Sequence, residues 1–219
     1  MMSGNIWRYD QYDLRKYSPG SIDYFLDIGG CVGTTGVFFK SIDPFAQVIS
    51  IEPCKEDFAT MCQVAGFWGV KCYQLALGNG EPMCFEYRRQ GGHRLYTEAE
   101  KQWWPEGSYM VESKTLTELY KHFKLRGRYI IKVDTEGGER ALLEDAGAID
   151  IIRGAVQFNM EYHRGFGGEQ ERWHEWFQNF KNTHVLYYRT KEKDGYKCIF
   201  EESIGPNKNW RSEYMLVKK

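Results

Sequence analysis

The chain has 219 residues, of which 29 are Lys or Arg and 30 are Asp or Glu, giving a formal net charge of -1. A chain of that length suits one α/β-sized domain that buries about 70% of its extended surface. Balanced charge excludes a global electrostatic pull toward nucleic acid or an anionic membrane. No apolar run approaches the roughly 20 residues of a bilayer span. The opening stretch MMSGNIWRYDQYDLRKY lacks a signal-peptide core. The six cysteines form no C-x-x-C and no zinc spacing with histidine, so reduced, mostly buried thiols in a cytoplasmic protein are expected.

In chain order, residues 1–20 are a polar, aromatic extension that ends in the turn signal SPG. DYFLDIGG reads as a short buried strand, and TTGVFFKSI as the start of a helix that Thr34 or Thr35 can cap. QVISIEP is a second strand stopped by Pro53. KEDFATMCQVAGF has helical spacing, with Phe58, Met61, Cys62 and Ala65 on one face. VKCYQLAL is a third strand, and MCFEYRR a fourth or a hairpin arm. Residues 89–113, rich in glycine and aromatics, form an inserted loop long enough to close over a substrate. KTLTELYKHF is a helix, and RYIIKVDTEGGE a strand that ends in Asp134 before glycines and the helix ERALLEDAGA. GAVQFNMEYH is a strand reaching Glu161 and His163. GGEQERWHEWFQNF is a helix with Trp173, Trp176, Phe177 and Phe180 on its apolar stripe. THVLYYRT, KCIFEES and EYMLVKK supply the last strands. Alternating strands and helices mean crossover units. The expected fold is one α/β domain over residues 1–219. It is Rossmann-like, with a seven-stranded, mostly parallel sheet and an antiparallel hairpin at the C-terminal side.

In such a sheet, ligands bind beyond the carboxyl ends of the strands. Asp27 closes the first strand there, and Gly29, Gly30 and Gly33 allow a tight turn with no Cβ against a ligand. Glu52 closes the second strand, where a carboxylate can accept both hydroxyls of a ribose. The glycine spacing does not match G-x-G-x-x-G, and an acid beside a pyrophosphate is repelled. An acid followed by glycines, then a strand-terminal Glu, points instead to S-adenosylmethionine, which carries an ammonium and a sulfonium and no phosphate.

DIGGCVGTTGVFF, VISIEP, YQLALGN and YIIKVDTEGGERALLEDA, in that order, resemble the FkbM-type S-adenosylmethionine-dependent methyltransferases over roughly residues 22–163. IKVDTEGGE carries most of the likeness, which implies a class I methyltransferase. Cys31 departs from the asparagine common in the family. The resemblance implies that Asp27, Gly29, Gly30 and Gly33 line the methionine end, and that Glu52 takes the ribose. It implies that Pro53, Ala76 and Leu77 shape the adenine side, and that Asp134 sits between cofactor and acceptor. Hydroxyl groups are the family's usual acceptors, which implies O-methylation of a sugar, glycan or small metabolite.

Methyl transfer from a sulfonium gains from positioning, from a base and from a nearby cation. Candidate catalytic residues are Lys132, Asp134, Glu161 and His163, with Glu136 and Glu139 beside them. Asp134 also reads as a helix cap, Lys132 as the buried partner of an acid, Glu139 as a structural residue favoured by its helix dipole. A histidine of near-neutral pKa is a natural base. His93 and the tryptophans Trp103 and Trp104 lie in the inserted loop, as substrate contacts or as anchors. Asp134 with Glu161 could hold magnesium, but no metal is assigned. Two other readings stand: a ribose 2'-O-methyltransferase acting on RNA, and a cofactor-binding protein without catalysis. The expected partner is a small-molecule or glycan acceptor, with no membrane, and the balanced charge disfavours nucleic acid.

Overall fold

Every residue of Tyr24–Ile28 is buried, as a strand covered on both faces requires. This is β1, the centre of the sheet. The structure, a computed structural model, describes residues 7, 10–88, 93–163, 170–189, 197–198 and 211–219. After β1 come α1 (Thr34–Ile42), β2 (Gln47–Ile51), α2 (Lys55–Phe67), β3 (Lys71–Tyr73) and β4 (Ala76–Leu77). Then follow β5 (Met83–Glu86), β6 (Arg94–Tyr96), a 3-10 turn (Glu98–Trp103), β7 (Tyr109–Val111), β8 (Ser113–Lys114) and α3 (Leu116–His122). The second half holds β9 (Tyr129–Val133), a 3-10 turn (Gly138–Arg140), α4 (Ala141–Glu144), α5 (Ala148–Gly154) and β10 (Gln157–His163). It closes with α6 (Gln170–Gln178), β11 (His184–Arg189), β12 (Lys197–Cys198) and β13 (Arg211–Lys218).

The main sheet runs β12-β11-β13-β10-β9-β1-β2-β3. From β3 to β10 all neighbours are parallel. β13, β11 and β12 then pair antiparallel. The expected seven strands and their C-terminal reversal are present, with the two-residue β12 added at the edge. Leu26, Ile49, Ile131 and Phe158 pack on one face with Trp173, Trp176, Phe177 and Phe180. Phe25, Val48 and Ile130 pack on the other, against Val37, Phe38, Met61 and Ala65. The aromatic stripe of α6 is therefore core, with Trp173 and Trp176 edge to face at 5.3 Å.

Several expectations need correction. Neither Thr34 nor Thr35 caps α1. Gly33 occupies that position at φ 87 with no side-chain cap, because the turn must cross the left-handed region before the helix begins. The expected third strand breaks after Tyr73, and Ala76–Leu77 leaves the main sheet to pair with β8. Residues 89–113 are not an open loop where they are described. β6 and β7 flank β5 as an antiparallel sheet, and Thr97 and Glu100 form a capping box. Residues 89–92 lie outside the described residues, as do 164–169, where the helix GGEQERWHEWFQNF was expected to begin, and most of KCIFEES. Cys54 and Cys84 are buried as expected, but Cys31 and Cys62 are exposed.

From residue 10 on, the extension before residue 20 reaches into the core. Tyr12 is 4% exposed and Leu14 0%. Gln157 on β10 donates to Tyr12 O at 2.7 Å and accepts from the Tyr17 hydroxyl at 3.0 Å. Among the described residues, no helix is long and apolar enough to cross a membrane.

Candidate active site

Parallel register sets a polar row across the middle of the sheet. Asp27 is level with Ser50 on β2 and Lys132 on β9, and Lys132 with Asn159 on β10. Register partners in a parallel pair share a face, so these polar groups meet. Asp27 is fully buried. Its Oδ1 lies 3.0 Å from Lys132 Nζ, and its Oδ2 accepts from Ser50 Oγ at 3.1 Å. Lys132 Nζ also donates to Gly29 O at 2.6 Å. Burial alone lowers the pKa of this ammonium, but Asp27, Asp134 and Glu161 outweigh it and hold the group above its ordinary value. Lys132 is thus a fixed cation that ties the glycine turn to the sheet, with Asp134 Oδ2 3.9 Å away.

The glycines serve this closeness. A Cβ on Gly29 (φ 78) would stand 1.8 Å from Asp134 O, and one on Gly33 2.6 Å from Ala65 Cβ. They clear space for the protein's own backbone and helix, bringing the end of β1 against the end of β9. Cys31 sits at φ 49, a region that asparagine tolerates better than most residues. Its backbone N–H donates to Glu52 Oε2 at 2.9 Å, and that of Cys54 to Glu52 Oε1 at 2.9 Å. Glu52 therefore joins the two loops that follow β1 and β2. Burial raises its pKa to about 7, against the pull of these two donors. Each carboxylate oxygen keeps a second lone pair.

Pro53 O accepts from Gln74 Nε2 at 3.3 Å. Ala76 and Leu77 are each 1% exposed, enclosed between β8 and the core. Their contribution to an adenine side would be shape from behind.

The remaining candidates gather beyond β9 and β10. Glu139 is fully buried. Its Oε2 accepts from Thr135 Oγ1 at 2.9 Å and from Gly137 N at 2.8 Å. Its Oε1 accepts from the backbone N–H of His163 at 2.8 Å and lies 3.1 Å from His163 Nδ1. Burial raises the Glu139 pKa, but the His163 ring and these donors win and lower it. Glu139, read from sequence as structural, sets the His163 ring. His163 Nε2 then faces Glu136 Oε2 at 3.5 Å, Glu161 Oε1 at 3.6 Å and Asp134 Oδ1 at 3.7 Å. Burial lowers the His163 pKa, but Glu139, Asp134 and Glu136 overcome it and raise it to about 9. The surrounding acids favour the protonated ring, so the near-neutral base expected from sequence is not found here. Tyr12 was missed altogether; its hydroxyl donates to Asp134 Oδ2 at 3.4 Å. Ser50 was missed too, and register with Asp27 was the only signal for it.

His93 and the tryptophans stand apart. The ring of His93 stacks on Tyr87 at 5.1 Å and its Nε2 lies 3.7 Å from Asp57. Trp104 Nε1 donates to Thr97 O at 3.2 Å, which anchors the turn, whereas Trp103 is 68% exposed.

A parallel sheet carrying acids at the ends of β1, β2 and β9, with a glycine turn at the crevice, defines a Rossmann-like class I methyltransferase. The chain matches the methyltransferase FkbM domain over residues 27–198 and belongs to that family. It is a methyltransferase that uses S-adenosylmethionine. The residues fit that cofactor. The carboxylates of Asp27, Glu52 and Asp134 suit the ammonium and sulfonium of that ligand, and each Glu52 oxygen, holding one backbone N–H, has a further lone pair that a ribose hydroxyl would use. Among solved structures the chain is similar to a putative rRNA methylase from Clostridium thermocellum, with 8% identity, TM-score 0.51 and coverage of 94% of this chain and 90% of that one. It is also similar to an rRNA methylase from Streptococcus thermophilus, with 12% identity, TM-score 0.50 and coverage of 94% and 92%. A methyltransferase FkbM from Methylobacillus flagellatus KT shares 10% identity at TM-score 0.45, over 89% of this chain and 43% of that one. These likenesses concern the fold. No curated protein matches the chain in sequence.

Proposed function

We propose that the chain methylates a hydroxyl oxygen on a sugar, glycan or other small metabolite. The observation that carries this reading is the cluster of Asp134, Glu136 and Glu161 around His163 Nε2, at 3.5–3.7 Å, beside the glycine turn. Carboxylates accept hydrogen bonds from hydroxyls and can take up a proton. When bound, S-adenosylmethionine supplies a methyl group on a sulfonium leaving group. Asp134 is the partly exposed member of the Asp27–Lys132–Asp134 chain. It orients the acceptor hydroxyl, while Tyr12 and Lys132 hold its Oδ2. The methyl would pass to the acceptor oxygen, and the cofactor's sulfur would keep the electrons of its C–S bond. The hydroxyl proton passes to the carboxylate cluster. Lys132 is not a base in this scheme, since its charge is held by Asp27.

An acid-ringed mouth repels a phosphate backbone, which sets the RNA reading second. The test is methyl transfer from labelled cofactor to a panel of polyhydroxylated metabolites and to RNA, with the labelled atom located by mass analysis. Label on a small-molecule oxygen is expected; label on RNA alone, or on nitrogen or carbon, overturns the proposal.

A further inference from the structure

The structure assigns a divalent-cation site to Asp134, Glu161 and His163. Their donor atoms lie within 4.8 Å of one another. His163 Nε2 stands 3.7 Å from Asp134 Oδ1 and 3.6 Å from Glu161 Oε1. Neighbouring ligands of an ion bound at about 2.1 Å are about 3.0–3.4 Å apart, so the two His163 pairs need to close by only a few tenths of an ångström.

The ring of His163 is presented as a ligand. Glu139 is fully buried, and the Oε1 that lies 3.1 Å from Nδ1 also accepts the His163 backbone N–H. A carboxylate accepts only, so Nδ1 keeps its proton against Glu139, and Nε2, which faces the cluster, is the nitrogen whose proton a cation bound there displaces. A carboxylate behind a histidine is the arrangement that fixes tautomer and orientation in metal sites. Among the described residues Nε2 makes no hydrogen bond, although the side chain is only 9% exposed. Asp134 divides its oxygens accordingly. Oδ2 is engaged by Tyr12, and Oδ1 faces Nε2. The side chains of Asp134 and Glu161 are 27% and 11% exposed, so the position opens to the crevice.

A second group of suitable residues, Cys54, Asp57 and His93, has the opposite logic. There the backbone N–H of Arg88 donates to His93 Nδ1 at 3.0 Å. That places the ring proton on Nε2, the nitrogen facing Asp57, and leaves no lone pair toward the group.

Two carboxylates and one imidazole suit Mn2+, Fe2+ or Zn2+ better than an all-oxygen ion such as Mg2+ or Ca2+. Such an ion would put positive charge beside the acceptor hydroxyl and ease loss of its proton. That role rests on the proposed O-methylation; the binding itself does not. The experiment is a Mn2+ titration of the full chain after chelator treatment, followed by the electron paramagnetic resonance signal of free Mn2+. S-adenosylhomocysteine affinity is measured calorimetrically on the same samples. One Mn2+ per chain is expected. Glu161→Gln, and separately Glu139→Gln behind His163, should each weaken it about tenfold or more, with S-adenosylhomocysteine affinity unchanged. No bound Mn2+, equal binding in Glu161→Gln, or loss of binding in His93→Ala would overturn the assignment. Mn2+ bound as expected without any S-adenosylhomocysteine binding would overturn the methyltransferase reading and leave the cation site standing.

Discussion

The pH dependence of cofactor binding isolates Glu52. Its carboxyl is pushed to about 7 by burial, while two backbone N–H groups favour the ionised form. Ribose hydroxyls are donors, so they bind the carboxylate and not the acid. With a free-protein pKa of about 7 and a much lower one in the complex, affinity should fall about tenfold between pH 8 and pH 6. Proton uptake on release follows from the same linkage. The sign for stability runs the other way. A raised folded pKa in an acid contributes stability that is present below the unfolded value and lost as pH rises through the folded one. The interval from 4.5 to about 7 corresponds to at most about 3 kcal/mol. The unliganded protein should therefore lose stability toward pH 7 while cofactor affinity grows. The assay is calorimetric titration with S-adenosylhomocysteine at pH 6, 7 and 8. Glu52→Gln should flatten the profile and lower affinity, because an amide nitrogen faces one of the two N–H donors and leaves it unsatisfied, at a cost of about 1–3 kcal/mol. Flat affinity from pH 6 to pH 8 in the parent, or a slope that survives in Glu52→Gln, refutes the reasoning.

Lys132→Met should destabilise the fold by about 3–5 kcal/mol in a denaturant titration, since Asp27 would be left as an uncompensated buried charge; adding Asp27→Asn should recover part of the loss. Tyr12→Phe removes the hydroxyl from Asp134 Oδ2 and should lower turnover several-fold with cofactor affinity unchanged, a split read from steady-state kinetics. Trp103→Ala should reduce acceptor turnover at unchanged melting temperature if the 98–103 turn closes over the acceptor. Trp104→Ala should lower the melting temperature instead, because its indole N–H holds Thr97 O.

The strand-terminal acids were legible because each closes an apolar run and precedes a turn signal, a pattern local to a few residues. Asp27, Glu52 and Asp134 were found that way, and β1, β2 and β9 place all three at one end of the sheet. What each acid touches was not legible. Ser50 reaches Asp27 through strand register, and Tyr12 reaches Asp134 across 122 positions of sequence. The same holds for His163. Its type suggested a base, but its titration is set by Glu139, 24 positions earlier, and by Asp134 and Glu136 just beyond β9. Thr34 and Thr35 looked like caps by residue type, and the left-handed Gly33 took the position instead. The break after Tyr73 had no composition signal, since Ala76 and Leu77 are as apolar as a continuing strand and differ only in their partner, β8.

The central claim is methyl transfer from S-adenosylmethionine to an oxygen, with Asp134 at the reacting hydroxyl. Its most direct test uses cofactor carrying a labelled methyl group, a fractionated extract of metabolites as acceptor, and location of the label in the product. The account predicts label on a hydroxyl oxygen in the parent and at least a hundredfold loss in Asp134→Ala (about 3 kcal/mol of barrier), with S-adenosylhomocysteine still bound. Label on nitrogen or carbon, or undiminished transfer in Asp134→Ala, would contradict it.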